Sequence, residues 1–171
     1  MTSIDECVIA ETGDLIKNID LRIEANAGRN RTKWVGACVH GEVVPAPRMT
    51  RRDRFAKRPC VVRYFECRDR ISRAIFRSGG LPGGLVLFLS VHAAIEMPNS
   101  WSKKKKDAMD GRLHRHGKDS DNILKTVMDA IWKNDSSVSA SLVIKTWGRE
   151  SMLELGILFE LPRVGCDEVA G

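Results

Sequence analysis

Asp119 and Asp121 stand two positions apart, directly ahead of the run Asn122-Ile123-Leu124-Lys125-Thr126-Val127-Met128-Asp129. On an extended segment, side chains at i and i+2 share one side about 6.5–7 Å apart, so two carboxylates can converge on one hard cation. From Asn122 the pattern turns helical, with Ile123, Leu124, Val127, Met128 and Ile131 forming an apolar stripe. Lys125 and Asp129 fall on the other side as an i,i+4 pair, and Asp121 continues that line upstream. An acidic pair feeding a helix with a lysine on the same face outlines a metal-and-phosphate site. A plainer reading exists: an Asp before a helix is an ordinary N-cap, and Lys-to-Asp at i,i+4 an ordinary solvent pair. Two features favour chemistry. Asp119 fills no capping role that Asp121 does not already fill, and the surrounding chain is basic.

The elements that must position these residues fit one domain plus an appendage, since 171 residues can bury a real core. The formal charge is +6, yet residues 1–30 carry six acidic side chains against three basic ones. The positive excess therefore lies on the body of the chain, as suits a polyanion-binding domain. Cys7, Cys38, Cys60, Cys67 and Cys166 are scattered, with no CxxC pair. Neither a zinc ribbon nor a disulfide framework is indicated, and a reduced cytoplasmic setting is expected. The chain has no 18-residue apolar run and no charged-then-apolar leader, so neither a membrane span nor a secretion signal is expected.

Residues 1–33 read as an acidic N-terminal extension, partly helical through Leu15, Ile16, Ile19 and Ile23. Trp34 to Val44 reads as a strand, followed by an arginine-rich loop opened by Pro45 and Pro47. Tyr64, Cys67, Ile71, Ala74 and Ile75 form a helical stripe that Ser78-Gly79-Gly80 ends. Leu85 to Glu96 alternates as a strand, with Leu85, Leu87, Leu89, Val91, Ala93 and Ile95 on one face. Residues 97–118 read as a long lysine-rich connection, a length that is usually functional or disordered. The acidic-pair helix follows, then strands over Val138–Trp147 and Met152–Leu161 joined by Gly148-Arg149-Glu150, and a frayed tail over 162–171. Leu153, Leu155, Ile157, Phe159 and Leu161 mark the inward face of the last strand. The order β-α-β-α-β-β predicts an α+β fold: a single domain, residues 34–161, with a mixed sheet and helices packed on it. His92 on the Leu85–Glu96 strand reads as structural, Trp101 and Trp132 as packing against the core, and His114 and His116 as no zinc site for want of cysteine partners.

The stretch Asp119-Ser120-Asp121-Asn122-Ile123-Leu124-Lys125, followed by Asp129-Ala130-Ile131, resembles the PDxDNLxK…DAL core of RusA-like Holliday junction resolvases, common in bacteria and their phages. Trp132-Lys133-Asn134-Asp135-Ser136-Ser137-Val138 resembles the second acidic block of that family, with Asn134 standing where an aspartate is usual. Ser100-Trp101-Ser102-Lys103-Lys104 is similar to a stretch seen in many phage members, and Val44-Pro45-Ala46-Pro47-Arg48 to their Pro-x-Pro-Arg segment.

The resemblance implies a Mg²⁺-dependent, structure-selective endodeoxyribonuclease that resolves four-way junctions by paired symmetric nicks, in DNA recombination and repair. Mn²⁺ is the expected substitute, and no organic cofactor is expected. It implies Asp119, Asp121 and Asp135 as metal ligands and Lys125 as the contact to the scissile phosphate, with Asp129 either orienting Lys125 or lying at the surface. It also implies a homodimer, because two matched nicks in a two-fold junction call for two identical sites. Arg48, Arg51, Arg52, Arg54, Lys57 and Arg58 form one cluster for backbone phosphates, and Lys103, Lys104, Lys105 and Lys106 another, both in predicted loops. Phe55 is a candidate wedge between base pairs or a core anchor. The span to Asp135 is short. A helix ending near Ile131 puts its far end about 14 Å from its start, and four extended residues return about 13 Å. A catalytically impaired branched-DNA-binding protein of the same fold is therefore the alternative.

Overall fold

The computed structural model describes residues 32–54, 58–132 and 138–161. The extension before Thr32 and the tail after Leu161 lie outside them. The elements run β1 (Thr32–His40), a 3-10 turn (Arg51–Arg54), α1 (Pro59–Arg77), β2 (Leu85–Glu96), α2 (Lys103–Met109), α3 (Ser120–Ile131), β3 (Ser141–Gly148) and β4 (Met152–Glu160). The four strands make one mixed sheet in the order β1-β4-β2-β3, in which only β2 and β3 run parallel. This is the expected α+β domain.

Register follows from which side chains must leave water. Ile157 of β4 lies between Val35 of β1 and Leu89 of β2, and the alternation Leu153, Leu155, Ile157, Phe159 is buried throughout. α1 contributes Tyr64, Cys67, Ile71 and Ile75 to the same core, and α3 contributes Ile123 and Val127. α1 packs on β1 and α3, and α3 also packs on β3. Trp132 packs against this core, as expected. A parallel pair cannot be closed by a hairpin and needs a crossover of a dozen residues or more. The crossover from β2 to β3 carries both α2 and α3.

Two expectations are corrected. The first residues of β2 face opposite to the alternation read from sequence: Val86 is buried, whereas Leu85 is 53% exposed. A register shift between Val86 and Phe88 inserts Leu87 as an extra residue, and a bulge of one residue reverses a period of two. The lysine-rich connection is not wholly loop, because Lys103–Lys106 form most of α2. Ser102 caps that helix by accepting from the Lys105 backbone N–H at 3.3 Å, and lysine is a fair helix former. Periodicity misses it because none of its residues is buried.

At the start of β2 the chain turns at Gly84 with φ +146°, where a Cβ would lie 2.1 Å from the carbonyl oxygen of Glu160. That approach requires glycine. His92 is structural, as expected: its ring nitrogens lie 2.9 Å from Glu154 Oε2 on β4 and 2.9 Å from Thr146 Oγ1 on β3. Among the described residues, no helix is long and apolar enough to cross a membrane.

Candidate active-site cleft

α3 begins at Ser120, two residues before the pattern suggested. Asp121 is therefore already helical while Asp119 keeps an extended backbone (φ −60°, ψ 139°) as the N-cap residue. Strand alternation does not relate the pair. The Asp119 carboxylate makes no capping bond; Asn122 Nδ2 donates to it at 3.5 Å. The carboxylate thus sits at the helix entrance without the job an N-cap side chain ordinarily has.

Asp121, Lys125 and Asp129 follow one another at about one helical turn each, and all three line one cleft of about 600 Å³. The opposite wall is Ala46, Pro47, Arg48 and Met49, with Tyr64 of α1 at the end near Asp129. The 43–49 segment is strapped to α3. Ala46 N–H donates to the Asn122 carbonyl at 2.9 Å, and the Thr126 hydroxyl lies 2.9 Å from the Val44 carbonyl. Lys118 Nζ donates to the Val43 carbonyl. Lys118 itself has φ 35°, an uncommon value for a side chain of this kind. Its carbonyl accepts from Lys145 Nζ of β3 at 2.8 Å. The strap and the residue preceding the acidic pair are thereby tied to the sheet.

Asp129 is fastened to α1: Tyr64 donates its hydroxyl to Asp129 Oδ2 at 2.5 Å, and Arg68 Nη2 donates to the Asp129 carbonyl. Burial, and then the adjacent Asp129 carboxylate, push the Tyr64 phenol up to about 12. Sequence periodicity placed Tyr64 in the core but gave it no part in the site. Its polar tip on an apolar stripe was the available signal, since a buried tyrosine hydroxyl usually has a partner.

The expected basic residues separate. Arg48 lines the cleft. Arg58 is taken up locally, binding Asp53 through Nε at 2.5 Å and Nη2 at 2.6 Å, and reaching the Arg48 carbonyl at 3.2 Å. Arg51 is exposed on the 3-10 turn. The side chains of Arg52 and Arg54, and all of Phe55 and Lys57, lie outside the described residues. Lys103, Lys104 and Lys105 are exposed on α2 rather than on a loop, and Lys106 is half-buried.

Asn134 and Asp135 also lie outside the described residues. Among those described, no three His, Cys, Asp or Glu side chains gather as a metal site. The oxygens available at Asp119 and Asp121 nonetheless suit a hard cation such as Mg²⁺, which binds through one or two carboxylates and keeps several waters.

One face of α3 thus presents a carboxylate, a lysine and a second carboxylate to the cleft, groups suited to a divalent cation and a phosphate. Residues 76–157 match the family described as Endodeoxyribonuclease RusA. That match, over just under half of the chain, supports a RusA-like Holliday junction resolvase. The matched stretch runs from the last turn of α1 into β4 and contains all of α3. It leaves out Tyr64 and the 46–49 wall, which complete the cleft. No curated protein matches the chain.

Proposed function

We propose that this chain is a Mg²⁺-dependent endodeoxyribonuclease that resolves four-way DNA junctions by paired symmetric nicks, acting as a homodimer and leaving 5′-phosphates. The observation that carries the reading is the meeting of Asp121, Lys125 and Arg48 in one cleft of a RusA-like domain. Asp119 and Asp121 hold the metal, with Asp135 as the third carboxylate. When bound, Mg²⁺ supplies an acidified water and neutralises phosphate charge. Lys125 grips the scissile phosphate and favours the charge that develops on it during cleavage. Arg48 holds a backbone phosphate on the opposite wall without reading sequence. Asp129, held by Tyr64, lines the cleft and ties α3 to α1 beside it.

The test is cleavage of a labelled four-way junction and a linear duplex of equal length in Mg²⁺, with binding measured separately in Ca²⁺. Asp121→Asn should abolish nicking and leave junction binding unchanged or tighter, because a carboxylate that repels phosphate has gone. Binding by the wild-type chain without any nicking would instead establish the impaired branched-DNA binder. Equal cutting of both substrates would remove junction selectivity.

A further inference from the structure

A second cleft, of about 350 Å³, lies on the β2-to-β3 crossover and is lined by Trp101, Lys105, Met109, Arg112, Leu113, Arg115, His116 and Trp147. We propose that it receives an unpaired nucleotide of the branched substrate, an assignment that rests on the junction-nuclease reading above.

Its floor is aromatic. The Trp101 and Trp147 rings lie 4.9 Å apart at 54°, and buried His114 backs Trp147 with ring centroids 4.2 Å apart. Trp101 is not part of the core cluster, contrary to the sequence expectation; it stands half-exposed at the cleft. The rim is cationic, from Lys105, Arg112 and Arg115, and Lys105 Nζ lies 4.0 Å from the Trp101 ring centroid. Among the described residues, no carboxylate lines the cleft. The two acidic residues of the neighbouring segment are drawn away from it: Arg149 binds Asp107 at 2.5 Å and Asp110 at 3.1 Å.

An aromatic floor under a cationic rim matches a nucleotide, since every base has a π face and every phosphate a charge. The volume is at the small end of ligand sites, ~300–1,000 Å³, enough for one nucleotide and not for a duplex.

Placement supports the same occupant. His116 lines this cleft and Asp119 follows three residues later, within about 10 Å along the chain. Lys145 pins the intervening turn to β3, donating to the Lys118 carbonyl at 2.8 Å. The two clefts are thus linked through one short turn, so a single branched substrate can engage both. Branch points supply such bases at lower cost than a closed duplex does.

The probe is a four-way junction carrying 2-aminopurine at the branch point, together with a short oligothymidine, both titrated in Ca²⁺ so that no cleavage occurs. The wild-type protein should change the 2-aminopurine signal, and oligothymidine should quench tryptophan fluorescence. Trp101→Ala should lose the 2-aminopurine response and weaken oligothymidine binding roughly 5- to 140-fold, the range for stacking one base. Trp101→Phe should retain most of both, and Lys105→Gln should weaken binding with a shallower salt dependence. Unchanged binding and signal in a folded Trp101→Ala protein would overturn the proposal. So would loss of self-association in that variant with oligothymidine binding intact, which would make the cleft a subunit surface. Because the readout is binding, nucleotide capture by a chain that fails to nick the same junction in Mg²⁺ would sink the nuclease reading and leave this site standing.

Discussion

Tyr64 is the single tyrosine of the chain, so its phenol can be followed without interference. It is 2% exposed and donates to Asp129 across the α1–α3 boundary. Replacing it with phenylalanine keeps the ring in the core and removes only this bond. A hydrogen bond to a charged partner contributes about 1.5–3 kcal/mol. Asp129 is half-buried and can recover part of that from water, so Tyr64→Phe should cost about 1–2 kcal/mol. For a domain of this size the melting temperature should fall by roughly 3–8 °C. The direction of the pH effect follows from the proton. In the fold the phenol is raised from 10.0 to about 12. Between those values the unfolded chain releases its proton while the native state keeps it. The unfolded state then binds fewer protons, so stability falls as pH rises through this window and is fully present below it. A gap of that size corresponds to ~2–3 kcal/mol at most. Near-ultraviolet phenolate absorbance, read beside circular dichroism, should show no ionisation until the fold itself begins to yield, and urea melts of wild type and Tyr64→Phe should converge toward the alkaline end. A phenol that ionises near 10 in the folded protein, or a variant within ~0.3 kcal/mol of wild type, would refute the bond and the fixed position of Asp129.

Thr126→Val keeps shape but removes the hydroxyl that meets the Val44 carbonyl; it should cost about 1–3 kcal/mol in chemical denaturation and raise amide exchange across residues 43–47. Gly84→Ala places a Cβ 2.1 Å from the Glu160 carbonyl at positive φ, so it should lower stability by more than ~2 kcal/mol by urea titration. Lys125→Met should lower junction cleavage by roughly 10²–10³-fold in single-turnover assays, the loss typical of one transition-state charge contact, and should leave the thermal midpoint within a degree or two because Lys125 is exposed.

Much of this architecture is legible in the sequence where one face of an element is buried and the other is wet. The stripe Ile123–Val127 and the alternation Leu153–Phe159 are such cases, because burial fixes their phase. The stripe Asp121-Lys125-Asp129 was visible for the same reason, and the structure brings all three into one cleft. What escaped depends on backbone events without a side-chain pattern. The extra residue at Leu87 reverses β2 locally. α2 buries nothing and leaves no stripe. On the strap itself, the groups that bind from Val43 to Ala46 are backbone carbonyls and an amide that every residue possesses. Its side-chain partners are Thr126, fully buried, and Lys118.

The sheet order has a consequence for when the cleft can exist. β4 follows every other described strand in the sequence yet lies inside the sheet, between β1 and β2. Until it is made, β1 lacks its neighbour and α1 and α3 have only half a surface to rest on. Assembly is thus governed by contacts distant in sequence, which form slowly. A growing chain still on the ribosome would carry the acidic helix without the frame that aims it until β4 has emerged.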